Sequence, residues 1–210
     1  MTASVGSPTD GVVESVFADR GDVITRGQVL ARLQSGVEAA AVALSKARVE
    51  FGRRKMERNE ALFQKQLISA QDKDEIETET RLREQELAKD EEMLKLRTLV
   101  SPLNGVVVER RLAPGDLVRM DKSVIFKLAQ LDPLHVEVVV PASLYGTVKV
   151  GSAGVVSFGG RIAAGNHTAT VSVVDRVIDP ASGTFGVRLR LPNPGNRIPS
   201  GIRCSVHFRH

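Results

Sequence analysis

Toward the end of the chain, apolar and polar positions alternate with little interruption. In "GIRCSVHF" (201–208), Ile202, Cys204, Val206 and Phe208 fall on one side, and Arg203, Ser205 and His207 on the other. A period of two marks a half-buried strand. The segments "LHVEVVV" (134–140), "AGVVSFG" (153–159), "HTATVSVVDRV" (167–177) and "TFGVRLRL" (184–191) alternate or run apolar in the same way. Gly, Pro and Asn turns separate them, and "FGGR" (158–161) reads as a hairpin turn. With the short "ASLYGTV" (142–148), they predict a small antiparallel β-barrel over 132–208.

The stretch 36–98 has a different period. It holds no proline, and Gly36 and Gly52 are its only glycines; Ala, Glu, Lys, Arg, Gln and Leu dominate. These are helix formers. Val37, Leu44 and Phe51 recur every seven residues, and Leu62 falls near the same face. The pattern pauses at "KQLISAQD" (65–72), where Ser69 followed by Asp72 forms a capping box with Asp in place of Glu. A second helix therefore starts near Ala70, carries Ile76, Leu82, Leu87 and Met93 or Leu94, and ends near Arg97. Bases outnumber carboxylates in the first arm and the reverse holds in the second, which favours antiparallel pairing. The result is an α-helical hairpin with a narrow apolar stripe, projecting from the body.

The flanks of that hairpin repeat each other. "SPTDGVVESVFADRGDVITRGQVLARL" (7–33) matches "SPLNGVVVERRLAPGDLVRMDKSVIFKL" (101–128), with one inserted residue. Each copy reads as short strands broken by turns such as "DRGD" and "APGD". Neither copy is large enough to bury a core alone, so the two pair around a pseudo-two-fold axis. The expected domains are thus 7–35 with 99–131, then 36–98, then 132–208.

Composition narrows the chemistry. Aromatics are 4% of 210 residues, with no Trp and one Tyr, which is thin for stacking on bases or sugars. The net charge of +4 is small against 29 basic and 25 acidic residues, so a mixed-charge surface is read before a basic patch. The single cysteine, Cys204, excludes an intrachain disulfide and reads as a packing residue on an apolar strand face. His135, His167, His207 and His210 have no metal-ligand spacing, although His167 and His207 sit where strands could bring them together. No GxSxG elbow, GxGxxG or Walker loop is present. The basic run "GRRKMER" (52–58) reads as a solvated helix face rather than a phosphate site. No apolar run reaches the ~18 residues of a membrane span.

The split repeat resembles the lipoyl/biotinyl domain, whose carrier versions join their halves through a turn bearing a modified Lys. Here 36–98 occupies that junction, no Met-Lys-Met occurs, and Lys122 lies inside the second half. A lipoyl-like domain split by a helical hairpin and followed by a β-barrel is similar to the periplasmic adaptor family (membrane fusion proteins, HlyD-type) of tripartite efflux pumps. Three stretches carry the resemblance: the paired "SP..GVV" with "GD.V", "LDPLHVEVVVPAS" (131–143), and "VIDPASGTFGVRLRLPNPGNRIPSGIRCSV" (177–206). The last looks most like adaptors of resistance-nodulation-division (RND) transporters. The family carries an Arg-Leu-Ser motif at its hairpin tip, and Arg58, Leu62 and Ser69 stand at its spacing.

The resemblance implies a mainly β fold with an inserted antiparallel coiled-coil hairpin. It implies no enzyme activity and no cofactor, and a periplasmic location with an inner-membrane anchor ahead of this chain. Its partners would be a TolC-type outer-membrane channel met by Arg58, Leu62 and Ser69, an RND transporter, and further copies of itself, six in the assembled pump. Adaptors of this kind usually carry a membrane-proximal domain built from both chain ends, so the channel-facing end is better supported than the transporter-facing one. The alternatives are an adaptor for an ABC-type exporter, a biotin or lipoyl carrier subunit, and a nucleic-acid binder, the last disfavoured by the scarce aromatics.

Overall fold

The structure, a computed structural model, describes residues 2–120, 122–159 and 165–208. The two repeats build one body. The first supplies β2 (Gly11–Val16), β3 (Val23–Ile24) and β4 (Val29–Leu33); the second supplies β6 (Gly105–Arg110), β7 (Leu117–Val118) and β8 (Val124–Ala129). Ahead of them lie β1 (Thr2–Gly6) and β5 (Thr98–Val100). Two four-stranded sheets result, ordered β1-β8-β6-β3 and β5-β4-β2-β7. Rotating one half onto the other converts one order into the other. Each half lends its short strand to its mate, since β3 pairs with β6 and β7 with β2.

The repeated phrases have repeated physical roles. Ser7 and Ser101 are buried, and their hydroxyls donate to the Thr9 and Leu103 carbonyls at 2.5 and 2.6 Å, closing the same turn twice. Asp10 accepts the Met120 N–H at 2.6 Å, and Asn104 accepts the Arg26 N–H at 2.8 Å, so each turn is tied to the opposite half. Gly21 and Gly115 sit at φ +95° and +94°, where a side chain is strained. Their N–H groups donate to the Val107 and Val13 carbonyls, both at 2.8 Å. Asp22 and Asp116 close these turns by accepting the N–H three residues back, at 2.7 Å each. Val13, Leu30, Leu33, Val107, Phe126 and Leu128 fill the core between the sheets.

The hairpin consists of α1 (Gly36–Gln64) and α2 (Ala70–Lys95), each about 40 Å long. Its base is clamped. Arg97, just past α2, forms a 2.5 Å ion pair with Glu38 of α1 and donates to the Asp10 carbonyl at 2.6 Å. The seam differs from the expected one. Val37, Leu44 and Phe51 are 81%, 55% and 51% exposed, so that heptad stripe points outward. The stripe that packs is shifted by one residue: Val42, Ser45, Val49, Gly52, Met56, Asn59 and Phe63, against Ile76, Thr80, Arg83, Leu87, Asp90 and Leu94. Close approach decides the choice. Gly52 lies against Thr80, where an added Cβ would stand 3.1 Å from Oγ1, and Ser45 donates to Asp90 at 2.5 Å. Helix axes this near exclude Phe51 and Leu44 from between them.

The second body is a five-stranded antiparallel sheet, ordered β13-β10-β11-β12-β9. The strands are β9 (Leu134–Pro141), β10 (Ala153–Phe158), β11 (Asn166–Val174), β12 (Thr184–Leu191) and β13 (Cys204–Phe208). It curls barrel-like around Val136, Val156, Val171, Phe185, Val187 and Leu189. The turn expected at 158–161 falls partly outside the described residues. So the chain has the mainly β character with an inserted hairpin that the pattern indicated.

Candidate functional site

Catalytic chemistry finds no footing. Among the described residues, no group of three or more His, Cys, Asp or Glu side chains could hold a metal. His167 and His207 do not meet: they pair with Val156 and Val155 of β10, neighbours whose side chains point to opposite faces. His167 stands edge-on to Phe158, and its Nε2 is buried without a hydrogen-bond partner among the described residues. His135 is exposed on β9, and His210 lies outside the described residues. Cys204 packs at the margin of the barrel core, and burial pushes its thiol above the ordinary value, away from nucleophilic character. The junction of the lipoyl-like halves, where a carrier would display its Lys, is filled by α1 and α2.

The basic run 52–58 is not one solvated face. Gly52 is buried in the seam, Arg53 binds Glu84 at 2.7 Å, and Lys55 binds Glu79 at 3.3 Å. Only Arg54 and Arg58 of its bases make no ion pair among the described residues.

What remains is the hairpin tip. Residues 65–69 connect the helices. The Leu62 carbonyl accepts the Lys65 and Leu67 N–H groups at 3.1 and 3.0 Å, and Gln66 takes φ 56°, unusual for a residue with a side chain. Ser69 forms the expected capping box: its Oγ accepts the Asp72 N–H at 3.1 Å, while Asp72 Oδ2 accepts the Ser69 N–H at 3.1 Å and hydroxyl at 2.7 Å. Below the turn, Lys73 binds Glu60 at 2.7 Å and rests on the Phe63 ring at 4.8 Å.

The three motif residues thus differ in surroundings. Arg58 is exposed on α1. Leu62 is 38% exposed, and its main chain organises the turn. Ser69 is exposed, yet its hydroxyl is engaged in the cap. The structure adds Leu67, 66% exposed at the turn itself, which periodicity could not single out because no repeat runs through the turn.

The cap makes the tip acid-sensitive. Hydrogen bonds from the Ser69 side chain and then its backbone hold Asp72 below the ordinary carboxylate value. Glu60 and Glu79 are lowered too, first by hydrogen bonds from Lys73 and Lys55. A carboxylate depressed in the folded state contributes stability above its unfolded value, lost as the pH falls through the folded one. Order at the tip should therefore decline below about pH 4. Asp72→Asn should weaken the cap at neutral pH and flatten this acid limb. Amide exchange at 66–73 between pH 7 and 3 reads both, and an unaltered profile in the variant would refute the assignment.

This geometry has known counterparts. Residues 1–130 match the family model described as CzcB-like, barrel-sandwich hybrid domain. The chain belongs to that family. It is 28% identical to the cation efflux system protein CzcB of Alcaligenes sp. (strain CT14), over 98% of this chain and 42% of that protein. It is 24% identical to the antibiotic efflux pump periplasmic linker protein ArpA of Pseudomonas putida, over 99% of this chain and 59% of that protein. The chain therefore spans only about half the length of these relatives. In fold it matches a MacA-MexA chimeric protein containing the Pseudomonas aeruginosa MexA alpha-hairpin domain, at TM-score 0.81 and 17% identity, covering 100% of this chain and 77% of that one. It also matches the membrane fusion protein Spr0693 from Streptococcus pneumoniae R6, at TM-score 0.70 and 16% identity, over 100% and 97%. The membrane-fusion resemblance of the sequence agrees with these matches, and so does the expectation of a linker rather than an enzyme. No helix among the described residues is long and apolar enough to cross a membrane.

Proposed function

We propose that the chain is the adaptor portion of a tripartite efflux pump in the periplasm, linking an inner-membrane RND transporter to a TolC-type outer-membrane channel. The observation that carries this reading is the hairpin: an arm about 40 Å long, clamped to the lipoyl-like body by Arg97 and Glu38, with free contact groups at its far end. Arg58 offers charge-assisted hydrogen bonds, and Leu62 and Leu67 offer apolar contact to a helical tip. Ser69 acts chiefly by holding the turn in shape. Rings of copies place several such arms side by side, and an anchor ahead of this chain holds the assembly to the inner membrane. The transported compound is chosen by the transporter, and the adaptor acts by geometry.

Arg58→Asp and Ser69→Arg in the full-length protein test the reading. Arg58 has no ion-pair partner among the described residues, so its reversal leaves the hairpin folded. Efflux and cross-linking to the channel should both fall at least tenfold in Arg58→Asp, with helix content unchanged by circular dichroism. If neither substitution alters efflux or cross-linking, the proposal fails.

A further inference from the structure

The hairpin has two unlike broad faces. In each helix, the residues one position before the seam turn to the same side. The ion pairs Arg48–Glu86 (3.3 Å) and Lys55–Glu79 (3.3 Å) prove it, since all four residues occupy such positions and meet across the hairpin. Every large apolar side chain exposed on the two helices lies on this side: Val37, Leu44, Phe51, Leu62, Leu82 and Met93. The opposite side, one position after the seam, carries charged residues such as Glu50, Arg53 and Glu57 on α1 and Glu77, Arg81 and Glu84 on α2. Four of the six apolar residues are more than half exposed by a wide margin or just past it, and they run the length of the arm rather than standing singly.

The charges on this face are sorted by helix. On α1 they are Arg48, Lys55 and Arg58, with no carboxylate; on α2 they are Asp72, Glu75, Glu79 and Glu86, with only Lys89 opposing. Arg58 and Glu75 make no ion pair among the described residues. The cross-hairpin pairs also set the axial levels. Phe51 stands level with Leu82, and Arg58 level with Glu75.

We propose that this face receives a second copy of the chain, face to face about a two-fold axis along the hairpin. That operation sets α1 of each copy on α2 of the other, with tips pointing the same way. Phe51 then packs on the partner subunit's Leu82, and Arg58 reaches the partner subunit's Glu75. A two-fold contact uses the same patch on both copies, which this self-matching face provides. The antiparallel arrangement would lay basic α1 on basic α1 and is disfavoured by repulsion. A face two helices wide and about 40 Å long offers roughly 800 Å² per partner, the size of a standard specific interface. This pairing does not depend on the channel reading, and its test contains no channel.

The test uses the full 210-residue chain with Cys204→Ala, so that no native thiol interferes. Phe51→Cys and Leu82→Cys are made in separate chains, purified, mixed and mildly oxidised. A disulfide can then form only between copies. The mixture should give a product of twice the chain mass at least tenfold above either variant alone. Glu50→Cys mixed with Arg81→Cys, on the charged side, should give little. Absence of the Phe51–Leu82 product, or equal yields from the two faces, would overturn the proposal. Efflux lost in Arg58→Asp with no such product would leave the adaptor reading standing and remove this one.

Discussion

Gly105→Ala should destabilise the lipoyl-like body by about 3 kcal/mol, while Gly11→Ala costs about 1 kcal/mol. The two glycines open equivalent strands of the repeat, so sequence alone treats them alike. Their surroundings differ. A Cβ on Gly105 would be driven into the main-chain carbonyl of Ala129 in the neighbouring strand β8. Backbone inside a sheet cannot step aside without breaking its ladder. A Cβ on Gly11 meets the Arg97 guanidinium at 2.7 Å and the Leu33 side chain at 3.3 Å, and the end of a flexible side chain can move. Urea unfolding of both variants measures the difference. Equal losses would show that the tight approach at Gly105 relaxes freely.

Asn193→Ala should cost the barrel about 3 kcal/mol or more, because it strips three hydrogen bonds from a site sealed from water. Asn193 is 2% exposed. Its Nδ2 donates to the carbonyls of Leu131 and Ile198, both at 2.9 Å, and its Oδ1 accepts the Ile198 N–H at 2.9 Å. Its own N–H donates to Asp132 at 2.9 Å. One side chain thus fastens the incoming segment at 131–132 to the loop before β13. Alanine leaves two buried carbonyls and one N–H without partners. The only tyrosine reports the result cleanly: Tyr145 lies edge-on to Phe185 at 5.2 Å in the barrel, and the chain has no Trp. Its near-ultraviolet signal should be lost well before that of the unaltered chain on heating. A coincident melting curve would disprove the hub role of Asn193.

Much of this architecture could be read from pattern because its forces are local or repeated. The period of two at 202–208 and the cap at Ser69 each depend on a few adjacent residues, and both appear in the fold. The repeat was legible because Ser7 and Ser101, Gly21 and Gly115, and Asp22 and Asp116 do the same work twice. The hairpin seam was not legible. α1 carries two stripes at heptad spacing, and the more hydrophobic one, Val37, Leu44 and Phe51, is the one left outside. Hydrophobicity ranks the stripes wrongly because closeness of approach, through Ser45, Gly52 and Thr80, decides which one packs. At the tip, the spacing located Arg58, Leu62 and Ser69, but only the turn geometry separates a free cation from a serine already committed to its cap. Leu67 and Asn193 gave no sequence signal, since each matters through distant or irregular backbone.

The Arg97–Glu38 pair sits at the root of a long rigid arm, with side chains only 19% and 18% exposed. A hinge in that position works as a lever. With an arm of about 40 Å, one degree of tilt at the root sweeps the tip by roughly 0.7 Å. A five-degree tilt moves it about 3.5 Å, the length of a hydrogen bond and enough to miss a partner side chain altogether. The aim of the hairpin is therefore set far from where it lands, and substitutions at its root belong among those that change what its tip can reach.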